Sequence, residues 1–396
     1  MVAPSKANLE DFFKPFHHFG GGWNPEEQVL PPQQEEEQTP GAQVNEPRGS
    51  YTGGAYGVGA PPPPPQAPGA AKKGADASAG YNKPGEGVNK GEGLVVGFYD
   101  KSCPAAERIV REWLQKVLKS NPYATANIIR LAFHDCAVGG CDASILLDAV
   151  AQGDKVEKGS IFNGVSLKGA DLIDDLKMRF EEECPQTVSC ADAIAFSANE
   201  AMAMSTGVRQ RPLAGRRDSV NSLATAADQN LASPTATVDQ MSEIFRKLGF
   251  NAEEMVVLLG AHSIGTAHCD LFMDRVYNFR NTQKPDPVLP LPYVDQLKGI
   301  CTDPGTPQFR NPPVNFDETP YALDNLYFRN LVQNKSLLLS DSSLLGDART
   351  GPTVRQMADD DMLFRKRFAE LFARLTSFNV LTGNNGEVRR TCRSTN

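Results

Sequence analysis

Two side chains that could perform acid–base chemistry lie four residues apart in the segment RLAFHDCAVGGCDAS, residues 130–144. On a helix, Arg130 and His134 would share one face about one turn apart, with Phe133 beside them. An imidazole that exchanges protons next to a guanidinium that stabilises negative charge suits general acid–base catalysis. The alternative is a solvent-facing arginine and a buried structural histidine. The strongly apolar residues around the pair favour the catalytic interpretation.

Oxygen donors follow immediately along the same segment. They are the side chains of Asp135, Asp142 and Ser144 and the carbonyls of Val138 and Gly140. Ca²⁺ takes several such oxygens and mixes carboxylates with carbonyls. The spacing is not that of an EF-hand, and a solvated acidic turn is an equal alternative on these residues alone.

Few other histidines are available to a site. The chain has five, and His17 and His18 lie in a proline-rich N-terminal region. His262 and His268 remain, in the segment LLGAHSIGTAHC. His268 follows six residues after His262, off the same helical face, and is interpreted as structural or surface-exposed.

The first 92 residues differ in composition from the rest. They hold about half of the 29 prolines, including the run PPPPP, and none of the eight cysteines. Such a segment has too little periodic apolar surface to offset its ordering entropy, so 1–92 is predicted to be a disordered extension. The aromatic stretch DFFKPFHHFGGGW is alternatively a short docking motif. Charged residues interrupt the apolar core that a signal peptide needs, so none is recognised.

Residues 93–396 are predicted to form one mostly α-helical unit. Helix-spaced apolar residues follow Pro104, and capping patterns begin at Ser189, Thr237 and Asn251. Further helices are expected near 323–333, 350–358 and 362–376. The net charge of −8 gives no indication of nucleic-acid binding, and no apolar run is long enough to span a membrane.

The cysteines indicate an oxidising compartment. All eight lie at or after Cys103, and an even number permits a disulfide framework. Buried free thiols are the alternative, and the sequence alone does not select among the many pairings.

Six motifs in order resemble one family. RLAFHDCAVGGCDASILL, LLGAHSIGTAHC, GRRDS, TVSCAD, GFYDKSCP and TPYALDNLYF are together similar to the secretory (class III) haem peroxidases of plants, over roughly 94–393. The resemblance implies an all-α fold of two helical lobes that enclose haem b. It also implies an enzyme, a peroxidase that reduces hydrogen peroxide while oxidising small phenolic donors in one-electron steps.

The resemblance assigns roles to individual residues. His134 and Arg130 would cleave the O–O bond, with Phe133 over the haem, and His262 would bind the iron. Supporting positions are implied for Asn163, which orients His134; Glu157, tied to that asparagine and the distal calcium network; Asp341, which accepts a hydrogen bond from His262; and Phe316, packed beside His262.

The resemblance also implies two calcium ions and four disulfides. The distal ion would be bound by Asp135, Val138, Gly140, Asp142 and Ser144, and the proximal ion by Ser263, Asp317, Thr319, Ala322 and Asp324. The disulfides would pair Cys103–Cys184, Cys136–Cys141, Cys190–Cys392 and Cys269–Cys301, and Asp192 would form a buried ion pair with Arg216.

Three departures from the family pattern accompany these expectations. The loop between Asp317 and Thr319 is one residue shorter, Ala232 replaces a substrate-channel proline, and 1–92 replaces the expected signal peptide. Secretion to the cell wall or a vacuolar location is nevertheless expected, because disulfides need an oxidising compartment. We expect a monomer, with the extension as a segment that binds cell-wall polymers. The alternative function is a non-catalytic wall protein, a calcium-stabilised helical module attached through its proline-rich tail. Such a protein would need none of Arg130, His134, His262 and Asp341, so their presence favours the enzyme.

Overall fold

The structure is a computed structural model that describes residues 93–307 and 309–396. The extension 1–92 lies outside the described residues, so its disorder and its binding to wall polymers stay predictions.

Helices dominate the described part of the chain, as the sequence predicts. The α-helices are α1 (Ala106–Ser120), α2 (Ala124–Val138), α3 (Ala170–Glu183), α4 (Cys190–Thr206), α5 (Ala224–Asn230), α6 (Val238–Lys247), α7 (Ala252–Leu259), α8 (Met273–Tyr277), α9 (Leu291–Ile300), α10 (Leu326–Val332), α11 (Leu339–Ser343), α12 (Gly351–Asp359) and α13 (Asp361–Leu375). The strands are β1 (Val95–Val96), β2 (Leu213–Ala214), β3 (Thr266–His268) and β4 (Pro313–Asn315), paired antiparallel as β1 with β2 and β3 with β4. The predicted all-α class is confirmed.

Local sequence signals explain where several helices begin. Thr237 and Gln240 form reciprocal side-chain-to-backbone hydrogen bonds at the start of α6, and Asn251 and Glu254 do the same for α7. The Ser189 hydroxyl caps α4. These bonds satisfy amide groups that the first turn of a helix leaves without partners.

Other helix boundaries differ slightly from expectation. The helix that follows Pro104 is α1, and it begins two residues after the proline, at Ala106. The helices expected near 323–333, 350–358 and 362–376 correspond to α10, α12 and α13, each within a few residues.

The main core surrounds α2 and α4, which pack against each other. Ile128, Leu131 and Phe180 are almost fully buried there, and each such side chain contributes roughly 1.5–3 kcal/mol by leaving water. A second cluster of apolar residues, including Phe272 and Val294, joins α8 and α9 to the β3–β4 pair. No helix in the described ranges is both long and apolar enough to cross a membrane.

All four expected disulfides are present. The bonds join Cys103 to Cys184, Cys136 to Cys141, Cys190 to Cys392 and Cys269 to Cys301. The buried ion pair between Arg216 and Asp192 is also confirmed, at 2.8 Å. Three of the disulfides connect segments that are 32 to 202 residues apart, whereas Cys136–Cys141 closes a short loop at the end of α2.

Candidate active site

Helix α2 places Arg130 and His134 on the same face, as their spacing predicts. The Nδ1 atom of the buried His134 lies 2.7 Å from Oδ1 of Asn163. Asn163 in turn donates from Nδ2 to the main-chain carbonyl of Glu157, at 2.8 Å. Since Oδ1 of Asn163 can only accept, the proton of neutral His134 resides on Nδ1, and Nε2 carries a lone pair.

The surroundings of His134 favour its neutral form. Burial is the largest cause, followed by the charge of Arg130, and together they lower its pKa to about 3. The hydrogen bond with Asn163 acts in the opposite direction, and His262 lowers the pKa further. An imidazole in this environment is a proton acceptor at neutral pH.

The Arg130 guanidinium is held by main-chain oxygens. Its Nη1 atom donates to the Ser166 carbonyl at 2.9 Å, and Nη2 makes longer contacts of 3.4 Å with the Phe162 carbonyl and the Ser166 hydroxyl. Although Arg130 is accessible to solvent, protein atoms surround it closely enough that desolvation lowers its pKa to about 10. The side chain therefore remains a fixed positive charge at neutral pH.

On the other side of the site, His262 lies in a short 3₁₀ turn, Gly260–Ser263, directly after α7. Its Nδ1 atom lies 3.0 and 3.2 Å from the two oxygens of Asp341, which is almost fully buried. The Phe316 ring stacks on the imidazole with centroids 4.7 Å apart and planes 3° from parallel. The carboxylate thus accepts the Nδ1 proton and leaves Nε2 as the unprotonated ring nitrogen.

Sequence reasoning missed Tyr327 at this position. Its hydroxyl donates to Oδ1 of Asp341 at 2.9 Å, and its ring contacts His262 edge-on at 6.1 Å. Burial and the nearby carboxylate raise the pKa of Tyr327 well above its usual range. The residue lies in the quoted motif TPYALDNLYF, but nothing in its spacing indicates a contact with Asp341.

The turn that carries His262 packs against α2, which brings the two halves of the site together. On its other side, the turn packs closely against α10 and α13, and Gly260 allows this: a Cβ atom there would lie 2.5 Å from the Phe364 ring and 2.9 Å from the Phe328 ring. A larger residue would displace the turn and therefore His262.

Buried carboxylates crowd together behind α2. Burial and then the charge of Asp142 raise the pKa of Asp135 well above its usual range, and burial raises the pKa of Asp142 to about 6. Oδ1 of Asp135 accepts no hydrogen bond, and Oδ2 accepts one from the Ala143 amide at 3.1 Å. Such crowding of negative charge is what a bound cation relieves.

Glu157 adds a third buried carboxylate to this group. Neither of its oxygens accepts a well-formed hydrogen bond, although the Ser144 hydroxyl lies close enough to lower its pKa. Burial, followed by Asp142 and Asp135, dominates and raises that pKa well above the usual range. The link from Asn163 to Glu157 runs through the main chain, so the carboxylate is left to face the other acids.

The conformation of the loop between Asp135 and Asp142, which carries the Val138 and Gly140 carbonyls, depends on Gly140. Gly140 has φ +139°, and a Cβ atom there would lie 2.2 Å from the Asn379 carbonyl oxygen. Asn379 donates from Nδ2 to the Gly139 carbonyl at 2.5 Å. This contact sets the path of the chain between Val138, the last residue of α2, and Asp142.

A second missed residue supports the same loop. Arg389 is completely buried, and its Nη2 atom donates to the Ala143 carbonyl at 2.7 Å. Its amide donates to Asp218 at 2.9 Å. The sequence separation of 246 residues between Arg389 and Ala143 explains why local patterns did not indicate the contact.

The expected proximal ligands also lie close to one another. The Ser263 hydroxyl donates to the Ala322 carbonyl at 3.1 Å and accepts from the Asp324 amide at 3.0 Å. In the shortened loop, Oδ1 of Asp317 accepts from both the amide and the hydroxyl of Thr319, at 2.8 and 3.1 Å. Oδ2 of Asp317 is buried without a hydrogen bond, and burial raises the pKa of this carboxyl to about 6.

Neither loop is a metal site made of side chains alone. In the described residues, no three histidine, cysteine or carboxylate side chains converge on one point as metal ligands would. Carbonyl and hydroxyl oxygens would therefore have to complete the coordination in both loops, which is common for Ca²⁺.

His268 lies apart from the site, as predicted. It is exposed at the end of β3, and its Nδ1 atom lies 2.9 Å from the Asn311 carbonyl oxygen. Its role is confined to the β3–β4 surface.

Comparison with known proteins agrees with this geometry. A sequence profile described as "Peroxidase" matches residues 110–360. The chain is 40% identical to Peroxidase 37 of Arabidopsis thaliana over 308 residues, which are 76% of this chain and 88% of that protein. It is likewise 40% identical to a peroxidase of Armoracia rusticana (76% and 86% covered) and 39% identical to Peroxidase 5 of Vitis vinifera (76% and 92% covered). The chain therefore belongs to the class III plant peroxidases and is an oxidoreductase of the peroxidase type.

Proposed function

We propose that the protein is a secreted haem b peroxidase that reduces hydrogen peroxide to water and oxidises small phenolic donors by one-electron steps. One observation carries the proposal. Two histidines lie on α2 and on the Gly260–Ser263 turn packed against it, and each has its Nδ1 atom committed to a buried acceptor, Asn163 or Asp341. In the neutral form of each ring, Nε2 is thereby the nitrogen that carries the lone pair.

The residues on the turn side would hold the haem iron. Haem enzymes of this kind use a proximal histidine whose second nitrogen donates to a carboxylate, which increases the electron density on the ligand. His262 and Asp341 supply that pair, and the stacked Phe316 ring fixes the plane of the imidazole. When bound, haem would supply the iron that accepts peroxide and stores its oxidising equivalents.

The residues on α2 supply the proton chemistry. Neutral His134 takes a proton at Nε2 from one peroxide oxygen and returns it to the other, which leaves as water. Asn163 keeps the opposite proton on Nδ1 throughout, so the ring does not change its orientation. Arg130, fixed by the Ser166 carbonyl, stabilises the negative charge that develops as the O–O bond breaks.

Calcium is proposed at both loops. At the distal loop, Asp135, Val138, Gly140, Asp142 and Ser144 would bind it, with Glu157 in the surrounding network. At the proximal loop, Ser263, Asp317, Thr319, Ala322 and Asp324 would bind it. The support is chemical: buried carboxylate oxygens without hydrogen bonds occur at both loops, on Asp135 and Asp317. A cation supplies the missing partner for each.

Secretion is proposed because of the disulfides. Four bonds use all eight cysteines, so the described chain has no free thiol. Such a framework forms and persists in oxidising compartments. We expect a monomer in the cell wall or the vacuole.

The proposal is tested with two site variants of the haem-loaded protein and one control variant. His262→Ala should lose the normal haem absorption spectrum, whereas His268→Ala, a matched change at the exposed histidine, should keep it. His134→Leu should bind haem normally but react with peroxide roughly 10²–10⁴-fold more slowly, the usual contribution of an acid–base group. An unchanged spectrum in His262→Ala or an unchanged peroxide rate in His134→Leu would contradict the proposed site.

A further inference from the structure

A pair of tyrosines lies on the surface behind the proximal side of the site. The rings of Tyr123 and Tyr321 are in edge-on contact, with centroids 4.9 Å apart and planes at 66°. Tyr321 is 49% exposed, and Tyr123 is half-buried at the N-terminal end of α2. Among the described residues, these are the only two tyrosines whose rings touch each other.

The pair is connected to the site by a short series of contacts. The Tyr123 hydroxyl donates to Oδ1 of Asn315 at 3.2 Å. The next residue is Phe316, whose ring stacks on His262 with centroids 4.7 Å apart. A phenol on the surface is thus one hydrogen bond and one residue away from the ring that packs on the proposed iron ligand.

We propose that Tyr123 and Tyr321 are joined by a carbon–carbon bond that the enzyme makes in its own chain. This inference rests on the proposed peroxidase function, which supplies the oxidant. Each phenol loses one electron and its hydroxyl proton, and the two tyrosyl radicals couple at ring carbons next to the hydroxyl-bearing carbon. The two hydrogens displaced at the new bond restore the phenols, so two tyrosines and one hydrogen peroxide give one dityrosine and two waters.

The surroundings favour coupling here rather than at other tyrosines. Tyr327 is nearer to His262, at 6.1 Å between rings, but it is buried, and its ring contacts are His262 and Phe328. Tyr99 is also buried, and its ring contacts two phenylalanines. A radical on either of these residues has no phenol in contact to couple with, whereas a radical on Tyr123 has Tyr321.

The bond would link two structurally important segments. Tyr123 immediately precedes α2, the helix that carries His134, and Tyr321 lies within the proposed proximal calcium loop, next to Ala322. These regions are already in contact through the edge-on rings, and the Tyr123 hydroxyl is held separately by its hydrogen bond to Asn315 in β4. A covalent link would hold the loop against α2 even when calcium is removed.

The test uses the full, haem-loaded chain treated with hydrogen peroxide in the absence of any phenolic donor. Mass spectrometry of the digested and disulfide-reduced protein should find the Tyr123 and Tyr321 peptides joined with the loss of two hydrogens, and dityrosine fluorescence should appear. Both signals should be lost in Tyr123→Phe and Tyr321→Phe. They should persist in Tyr277→Phe, a control in which another half-buried tyrosine loses its hydrogen bond to the Cys301 carbonyl.

A second oxidant separates the geometry from the enzyme chemistry. A photochemically generated ruthenium(III) complex, which oxidises tyrosine without haem, should produce the same joined peptide in the haem-free protein. If the ruthenium complex joins the two peptides but peroxide does not, in a sample that still oxidises a small phenol, the proposal that the enzyme oxidises its own tyrosines would be overturned. Failure under both oxidants, or joining between two chains instead of within one, would overturn the pairing. A sample that also fails to oxidise the phenol would overturn the proposed function itself.

Discussion

Asn163 accepts the Nδ1 proton of His134 over 2.7 Å, and its own amide is anchored to the Glu157 carbonyl. The orientation of the asparagine is therefore determined by two bonds of opposite kind. Because the amide cannot rotate without losing both, it fixes which nitrogen of His134 is free to accept a proton.

Replacing Asn163 should reveal this control. Asn163→Leu should slow the reaction with peroxide roughly 10–100-fold, a loss typical of removing a group that orients a functional side chain. Asn163→Asp should instead raise the pKa of His134, because a carboxylate stabilises the imidazolium. As the pH is lowered, the rate of reaction with peroxide should therefore begin to fall at a higher pH in Asn163→Asp than in the wild type.

Stopped-flow measurement across a pH series separates these outcomes. Asn199→Leu is the control, since it removes a half-buried asparagine that bonds only to the Gln210 carbonyl among the described contacts. Equal pH profiles for the wild type and Asn163→Asp would contradict the role assigned to Asn163.

His134 should also make folding stability depend on pH. Its pKa is about 3 in the folded protein and near 6.5 when unfolded, so the unfolded chain binds more protons between those values. The contribution of neutral His134 is complete above about pH 6.5 and is lost as the pH falls toward 3. Denaturant unfolding of the haem-free protein should be measured at about pH 7 and about pH 4. The free energy of unfolding should fall less between these pH values for His134→Leu than for the wild type. An identical fall in both proteins would show that His134 is not held neutral.

Tyr327→Phe should affect both stability and the iron. Loss of the 2.9 Å bond to Asp341 should lower the free energy of unfolding by about 1 kcal/mol. The carboxylate then becomes a stronger acceptor for the Nδ1 proton of His262, so the reduction potential of the bound iron should fall. Spectroelectrochemical titration measures that potential, and Tyr99→Phe, another buried tyrosine bonded to an aspartate, serves as the control. A lower stability with an unchanged potential would limit Tyr327 to a structural role.

Removing calcium should destabilise the protein. A ligand that binds only the folded state adds about 2.7 kcal/mol of stability at a concentration about 100 times its Kd. Metal analysis should find roughly two ions per chain, one for each loop with buried carboxylate oxygens. Asp135→Asn should lose the distal ion and part of the thermal stability, whereas Asp171→Asn, a change at an exposed aspartate, should lose neither. If metal analysis of the wild type finds about one calcium ion per chain, the shortened Asp317–Thr319 loop does not bind calcium.

Deleting residues 1–92 should leave the chemistry unchanged. The described chain begins at residue 93, and β1 pairs Val95 with Ala214 immediately afterwards. The cut would therefore leave this pairing and the Cys103–Cys184 bond intact. Turnover of a small phenol and retention on isolated wall material should be compared for the two forms. A large loss of turnover with normal haem loading would mean that the boundary is misplaced.

Local patterns accounted for the elements that bear the site. The spacing of Arg130 and His134 correctly predicted a shared helical face, and the capping residues marked the starts of α6 and α7. Such features depend on residues three or four positions apart, which a sequence shows directly. The disulfide pairing came instead from the family resemblance, because eight cysteines alone permit many arrangements.

Contacts between distant segments could not be predicted in this way. Tyr327 and Arg389 are both buried, and each donates a hydrogen bond to a residue in another segment. Tyr327 donates to the Asp341 carboxylate, and Arg389 donates to the Ala143 carbonyl. The sequence also gives no indication that the Glu157 carboxylate lacks a hydrogen-bond partner. This follows because Asn163 donates to the main-chain carbonyl of Glu157 and not to its side chain. These features follow from tertiary packing rather than from spacing.

The contact between Arg389 and Ala143 has a consequence for biosynthesis. The Arg389 guanidinium supports the distal loop, and Cys392 is bonded to Cys190 at the start of α4. Because a ribosome produces residues 389–392 long after residues 135–144, the nascent chain reaches its last segment with that loop still lacking its support. The distal loop can therefore take its final form only after translation of the C-terminal segment. Until then, the cysteines of that loop, Cys136 and Cys141, are exposed to wrong disulfide partners in a loop that lacks its final support.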